Sequence, residues 1–315
     1  MQQRTVLLFV LLGLLSLHPP GASARESLRQ KAEKGDAQSQ YFLAQNYTDG
    51  TGVPRDREEA ARWYTAAAAQ GFAPAQFALG YLYEQGEGVE RDYRRAVNYY
   101  RAAAQRRHPT AENNLASMYQ HGRGVGKDLA QAVNWYRRSA EHGDPVGQCN
   151  LASLYSTGEG VPRDDREAAR WFRAAAEQGL PVAQNDLAFM YYNGRGVLLD
   201  YQQAAAWTRR AAEEGYAQAE TDLGYLYEQG KGVPLNYITA YTWYNLAASG
   251  GDRRAAARMK SLSSIMTREQ ITAATASHQG RGEQEPQSYI YPETSPQEPR
   301  RSPAALTSPP GPFSD

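Results

Sequence analysis

The sequence repeats itself every 36 residues, and this period constrains the fold more than any other feature. A leucine recurs in step at six positions, followed by a tyrosine four residues later and an aromatic residue twenty residues later. The leucines are Leu43, Leu79, Leu115, Leu151, Leu187 and Leu223. No insertion interrupts the register. Repeats at this spacing are typical of a stacked array of similar units, not of a globule around one enclosed core.

The second half of each repeat predicts an amphipathic helix. Ala60, Trp63 and Ala67 have the i, i+3, i+7 spacing of residues on one helical face. Asp56 stands just before this helix, where its carboxylate can cap the first turn. Gly71 stands just after it, where a left-handed residue is favoured. Both residues recur in most copies, so every repeat is predicted to contain this helix.

The first half of each repeat predicts another helix and a loop. Ser39, Leu43 and Tyr47 lie at i, i+4 and i+8, which predicts the buried face of the helix. Asp36 is predicted to be its N-cap. The loop 50–52 keeps two glycines in every copy, and glycine allows the positive φ that a tight reversal requires. None of these loops follows a strand pattern or carries a P-loop lysine, so we interpret them as turns.

One consensus joins these features, and residues 71 to 104 carry it most clearly. Its residues there are Ala75, Leu79, Gly80, Tyr83, Gly86, Gly88, Val89, Asp92, Ala96, Tyr99, Tyr100, Ala103 and Ala104. The pattern resembles the Sel-one-like repeat, a relative of the tetratricopeptide repeat, over about residues 35 to 274. The resemblance implies an all-α fold, namely a right-handed α-solenoid of six 36-residue helix-turn-helix repeats with capping helices. It also implies a non-enzymatic scaffold or adaptor that binds other proteins.

The register of the repeats predicts the domain organisation. The predicted segments are a signal peptide at 1–24, an N-terminal cap helix at 25–34, six repeats at 35–70, 71–106, 107–142, 143–178, 179–214 and 215–250, a C-terminal cap at 251–275, and a disordered proline-rich tail at 276–315.

Residues 1–24 have the parts of an export signal. Arg4 supplies the positive start, an apolar run extends from Val6 to Leu17, and Ala22-Ser23-Ala24 is an A-x-A cleavage site. Cleavage after Ala24 predicts a periplasmic or secreted protein with no stable membrane anchor. The alternative is an uncleaved signal anchor, although the apolar run is short for a bilayer span.

Composition argues against several classes of function. Basic and acidic residues number 34 each, so no positive excess predicts binding to nucleic acid or to an anionic membrane. Cys149 is the one cysteine, so no intramolecular disulfide can form. We interpret it as a small buried residue. The five histidines lack metal-ligand spacing, and no catalytic set is recognisable. We therefore predict no metal, no cofactor and no enzymatic activity.

Positions that vary between copies on the first helix predict a binding groove. The columns equivalent to residues 42, 45 and 49 lie along the side of this helix that is expected to be exposed. The predicted groove residues are Asn114, Asn150, Asp186 and Asp222 in the first column, Tyr81, Phe189 and Tyr225 in the second, and Gln85, His121, Asn193 and Gln229 in the third. In helix-pair solenoids the first helices form the concave surface. Amides and carboxylates beside aromatic anchors suit a protein or peptide partner.

Other interpretations of these columns and of the function remain open. The rings could pack between repeats and the amides could simply be solvated. The chain, expected to be a monomer, could instead regulate a sensor or a polymer-export system in the cell envelope. A cysteine-rich branch of the resembled family is associated with β-lactam binding or hydrolysis, and it relies on a disulfide in each repeat. Because this sequence has only Cys149, that activity is not transferred.

Overall fold

The computed structural model describes residues 22–279, with side chains for residues 28–276. Within this range the chain forms fifteen α-helices and no strand, which confirms the all-α prediction. The helices are α1 (Ala22–Glu33), α2 (Ala37–Asp49), α3 (Arg57–Ala69), α4 (Ala73–Gln85), α5 (Tyr93–Gln105), α6 (Pro109–His121), α7 (Leu129–Glu141), α8 (Pro145–Thr157), α9 (Asp165–Glu177), α10 (Pro181–Asn193), α11 (Tyr201–Glu213), α12 (Ala217–Gln229), α13 (Tyr237–Ser249), α14 (Arg253–Ser263) and α15 (Arg268–Gln279).

The chain divides into two compact units at Ala102 and Ala103, inside α5. In the first unit, α1 packs on α2, α2 on α3 and α3 on α4. In the second unit, α6 to α14 pack in consecutive pairs, and α15 packs against α13. From α1 to α4 and from α6 to α14, each helix therefore contacts its neighbours in sequence within its unit, as expected of stacked helix-pair repeats.

The predicted helix caps are confirmed. Oδ2 of Asp36 accepts a hydrogen bond from the Ser39 backbone N–H at 2.7 Å. Oδ1 of Asp56 accepts from the backbone N–H groups of Glu58 and Glu59. The same role is taken at the later second helices by Asp92, Asp128, Asp164, Asp200 and Asn236. The start of each second helix is thus determined within its own repeat.

Small residues let large rings approach within each repeat. A Cβ placed on Gly80 would lie 2.8 Å from the ring of Tyr100, and one on Gly224 would lie 2.7 Å from the ring of Tyr244. Both tyrosines are fully buried. At these two positions a small residue therefore lets the two helices of the pair pack closely.

The second glycine of the loop serves packing between repeats as well as turning. A Cβ on Gly196 would lie 1.9 Å from the backbone carbonyl oxygen of Asp165 at the start of α9. Gly88 and Gly232 approach the preceding second helix in the same way. The sequence interpretation, which invoked only positive φ, missed this contact because it joins two different repeats.

The predicted terminal segments fall largely outside the described residues. The export signal lies outside them except for Ala22 to Ala24, which belong to α1, and the tail lies outside them from residue 280 onward. Cleavage after Ala24 would remove the first three residues of α1. Between residues 22 and 279, no helix combines the length and the apolar character that crossing a bilayer requires.

Candidate protein-binding face

The predicted groove residues lie on one side of the first helices. We call this surface the first-helix face and define it by the positions equivalent to residues 41, 42, 45 and 49. In the first unit it comprises parts of α2 and α4, and in the second unit parts of α6, α8, α10 and α12.

In the first unit this face is largely aromatic. Tyr81 and Gln85 are half-buried on α4, and Tyr81 packs against the apolar cluster around Leu79. Phe42 on α2 exposes 44% of its surface and contacts Tyr41 edge-on, with ring centroids 5.6 Å apart.

In the second unit, amide and carboxyl groups link successive first helices. Nδ2 of Asn150 on α8 donates to Oδ1 of Asn113 on α6 at 2.9 Å. Nδ2 of Asn185 on α10 donates to Oδ2 of Asp222 on α12 at 3.3 Å. Each pair joins position 41 of one repeat to position 42 of the next. We call this series of contacts the inter-repeat ladder.

The ladder corrects the expectation that the whole position-42 column faces solvent. Asn114 exposes only 7% of its surface and accepts a hydrogen bond from the Asn113 side chain. Asp222 exposes 2% and also accepts from Gln218 on its own helix. Asn150 is half-buried. Asn150 and Asp222 are covered because successive first helices pack closely enough for their side chains to pair with position 41 of the preceding repeat.

The ladder is incomplete between α8 and α10. Position 41 of this step is Cys149, which is 7% exposed and whose thiol is a weak donor. Position 42 is Asp186, whose Oδ2 is buried and has no hydrogen-bond partner among the described residues. Burial raises the pKa of the Cys149 thiol well above its usual value, with a further contribution from Asp186. Such a thiol is unreactive at neutral pH, consistent with a packing role.

Burial raises the pKa of two carboxyl groups of this face. Burial, and then the neighbouring Asp222 carboxyl, raises the pKa of Asp186 to about 7. Burial also raises the pKa of Asp222 to about 7, although hydrogen bonds from Gln218 and Asn185 oppose the shift. Without a donor, Asp186 lacks this compensation.

The accessible aromatic part of the face lies on α10 and α12. Phe189 and Tyr225 are half-buried, and each ring is covered by a cation. The Arg195 guanidinium lies 5.5 Å from the centroid of Phe189, and that of Arg258 lies 4.6 Å from the centroid of Tyr225. Lys231 Nζ lies 5.9 Å from the Tyr225 centroid. The combination of ring faces and cationic groups can contact both apolar and acidic groups.

The cations were missed by the sequence interpretation. Arg195 and Lys231 both occupy the position between the two loop glycines, which is basic in three of the six repeats, so these two basic residues were available as a signal. It was overlooked because the loops were considered only as turns. Arg195 is held by Asp165, with Nη2 to Oδ1 at 2.7 Å.

The outer row of the face is polar and accessible. His121, Asn193 and Gln229 are exposed at the ends of their helices. Nδ1 of His121 lies 2.9 Å from the Ser117 carbonyl oxygen, and Nδ2 of Asn193 donates to the Phe189 carbonyl oxygen at 3.0 Å. The side chains of His121 and Asn193 are thus pre-positioned by their own helices while remaining exposed.

The described residues do not bring together three or more histidine, cysteine, aspartate or glutamate side chains in an arrangement that could hold a metal ion. The geometry of the first-helix face is that of a contact surface. The helix-pair repeats and this face together define a repeat protein of the α-solenoid class.

The comparison with known families identifies the repeat. The Sel1 repeat pattern matches residues 37–72, 73–108, 109–144, 145–180, 181–216 and 217–252. The chain therefore belongs to the Sel1 repeat family. Proteins of this family are generally protein-interaction scaffolds. The comparison with curated proteins gave no match.

Two solved structures support the assignment. Escherichia coli c5321, a protective antigen present in uropathogenic strains that displays an SLR fold, is 35% identical with a TM-score of 0.74. The match covers 82% of this chain but only 56% of c5321. A Sel1 repeat protein from Oxalobacter formigenes is 33% identical with a TM-score of 0.65, and the match covers 71% of this chain and 90% of that one.

Proposed function

We propose that this protein is an exported, non-enzymatic adaptor that binds a protein or peptide on its first-helix face. The observation that carries the proposal is the accessible row on α10 and α12. There Phe189 and Tyr225 stand beside the exposed Asn193 and Gln229, on helices whose buried sides are fixed by the ladder. Rigid aromatic groups flanked by polar side chains form the anchors of many protein interfaces.

The test is selection of peptides from a random display library with the full-length chain as bait. The double variant Phe189→Ala, Tyr225→Ala removes both rings of the proposed surface. Phe42→Ala is the matched control, because it removes an exposed ring of the first-helix face that belongs to α2 and not to the row on α10 and α12. We expect selected peptides to bind the wild type and Phe42→Ala equally and to lose affinity for the double variant. Peptides that bind all three proteins alike would contradict the proposed location.

Export is a separate part of the proposal and rests on the sequence of residues 1–24. Expression of the full chain in a bacterial host should give a periplasmic protein whose N-terminal residue is Arg25. Ala24→Leu should block processing, because cleavage sites of this type require a small residue there. An unprocessed cytoplasmic wild-type protein would contradict export and leave the binding proposal unaffected.

The specific role as a regulator of a cell-envelope system would use the same surface and differ only in its partner. The peptides selected with the wild type would distinguish the two, since a sensor or export component should contain a matching sequence.

A further inference from the structure

The inter-repeat ladder has one step at which a buried carboxyl group lacks a donor. At the steps on either side of it, an amide group occupies position 41 and completes the step. Asn113 pairs with Asn150, and Asn185 pairs with Asp222. Between α8 and α10 the position-41 residue is Cys149. A thiol is too weak a donor to compensate a buried carboxylate.

Ionised and protonated Asp186 therefore differ in how well they fit this interface. A charge on Asp186 would be buried without a hydrogen bond to Oδ2 and would face a second carboxyl group, that of Asp222. A proton removes the charge and the repulsion. The same argument has less force at Asp222, because Asn185 and Gln218 donate to it.

The titratable groups that interact with Asp186 all oppose its ionisation. Cys149 on α8 and Asp222 on α12 are the titratable neighbours that interact with it. Asp222 in turn interacts with Asp252 and Arg254 at the start of α14. Helices α9 and α11 pack against α10 with apolar side chains, which include Phe172 and Trp207. The charged group that α9 adds is Arg173, which donates to the Tyr191 hydroxyl at 2.8 Å. Arg254 is the cation among the titratable groups that interact with Asp222. It lowers the pKa of Asp222 and forms an ion pair with Asp252 at 3.1 Å.

We propose that the contact between α8, α10 and α12 is a proton-responsive joint, packed as seen when Asp186 carries a proton and loosened when that proton is lost. The shifted pKa values of Asp186 and Asp222 agree with this assignment but are not its basis, which is the missing donor between two paired steps of the ladder. The joint adjoins the proposed binding row on α10 and α12, because Phe189 follows Asp186 by about one helical turn. The inference nevertheless concerns the isolated chain and does not require a partner.

The first test compares the thermal stability of the full-length wild type and Asp186→Asn between about pH 5 and about pH 8. A carboxyl group whose pKa is raised by folding contributes stability at low pH, and this contribution is lost as pH rises through the folded-state pKa. Asp186→Asn should therefore gain melting temperature relative to the wild type as pH rises. Cys149→Asn, which supplies the missing amide, should also reduce the pH dependence of the wild type.

Asp165→Asn is the matched control. Although burial raises the pKa of Asp165, hydrogen bonds from Arg163 and Arg195 lower it below its usual value. Asp165 is therefore ionised in both the folded and unfolded states over this range. Its substitution should change the melting temperature by an amount that does not vary with pH. A difference between wild type and Asp186→Asn that is also independent of pH would overturn the proposal.

The second test detects loosening directly, because Cys149 is the one cysteine and lies at the joint. The rate of Cys149 modification by an excess of a thiol reagent would be measured for the wild type and for Asp186→Asn, at about pH 5.5 and at about pH 8. The ratio of the two rates at each pH removes the effect of pH on the reactivity of a thiol itself. Loosening predicts that the wild type reacts several-fold faster than Asp186→Asn at the higher pH only. If Asp186→Asn reacts faster there, the Asp186 charge merely suppresses the thiolate and no joint opens.

Both tests require folded protein, so neither could be carried out with a variant that failed to fold. The remaining measurement is then a carbon-13 titration of the aspartate carboxyl groups in the wild type. An Asp186 resonance that titrates above about pH 6 supports the proposal, and one that titrates near about pH 4, the ordinary value, overturns it.

Discussion

Oε2 of Glu112 on α6 lies 2.6 Å from Nδ1 of His142 at the end of α7, and the Glu112 side chain is fully buried. The guanidinium of Arg138 lies 3.2 Å from the other oxygen. The position of Glu112 holds glutamine in four other repeats. One repeat later, the contact joins two amides, with Nε2 of Gln178 donating to Oε1 of Gln148 at 2.8 Å.

This contact predicts that the contributions of Glu112 and His142 to stability depend on each other. His142→Ala leaves the Glu112 carboxylate without its closest donor and should cost about 1–3 kcal/mol of unfolding free energy. The double variant Glu112→Gln, His142→Gln recreates the amide pair of the next repeat and should lie within about 1 kcal/mol of the wild type. Urea unfolding near neutral pH would measure both. A double variant less stable than His142→Ala would show that the pairs are not interchangeable.

Glu220 occupies the same position as Glu112, but the residue equivalent to His142 in its neighbouring second helix is Gly250, which has no side chain to pair with it. Burial, and then the Asp252 carboxyl, raises the pKa of Glu220 to about 7. A raised folded-state pKa means that wild-type stability is lost as pH rises from the unfolded value towards about 7. Glu220→Gln should therefore be more stable than the wild type by about 1–2 kcal/mol near pH 8 and should lose this advantage near about pH 4. A stability difference that does not vary across this range would contradict the prediction.

The helices could be predicted from the sequence because each depends on residues within one repeat. The N-cap Asp56 and the helix it begins lie within a few residues of each other, so their geometry is local. The 36-residue register then extended this interpretation to every copy. The small residues that accommodate rings, such as Gly80 beneath Tyr100, could be predicted for the same reason.

The candidate site was predictable only in part. The sequence identified which columns of the first helix vary, and Asn193 and Gln229 are indeed exposed. It could not show that Asp222 is buried, because the partner Asn185 lies 37 residues away and belongs to a different column. The separation of 37 residues exceeds the 36-residue period by one, and this offset depends on how successive first helices pack. Binding itself remains a prediction.

Arg107 is the described non-glycine residue with positive φ, at 61°, and glycine occupies this place after most other second helices. A side chain in this conformation costs about 1 kcal/mol relative to glycine. Arg107→Gly should therefore raise unfolding free energy by about 0.5–1 kcal/mol, and thermal unfolding monitored by circular dichroism would measure it. The reciprocal control is Gly143→Ala, whose φ is 88° and whose added Cβ would meet nothing within 4 Å. It should lose a similar amount, and a gain in stability there would contradict the argument.

Gly196 should tolerate alanine much less well than Gly143, although both have positive φ. Its Cβ would lie 1.9 Å from the Asp165 carbonyl oxygen, which is backbone and cannot rotate away. The substitution must separate the loop after α10 from the start of α9, so it adds steric strain to the conformational cost. Gly196→Ala should therefore lose about 2 kcal/mol or more beyond the loss in Gly143→Ala. Equal losses in the two variants would mean that the loop glycine serves the turn alone, and that contact between adjacent repeats does not require it.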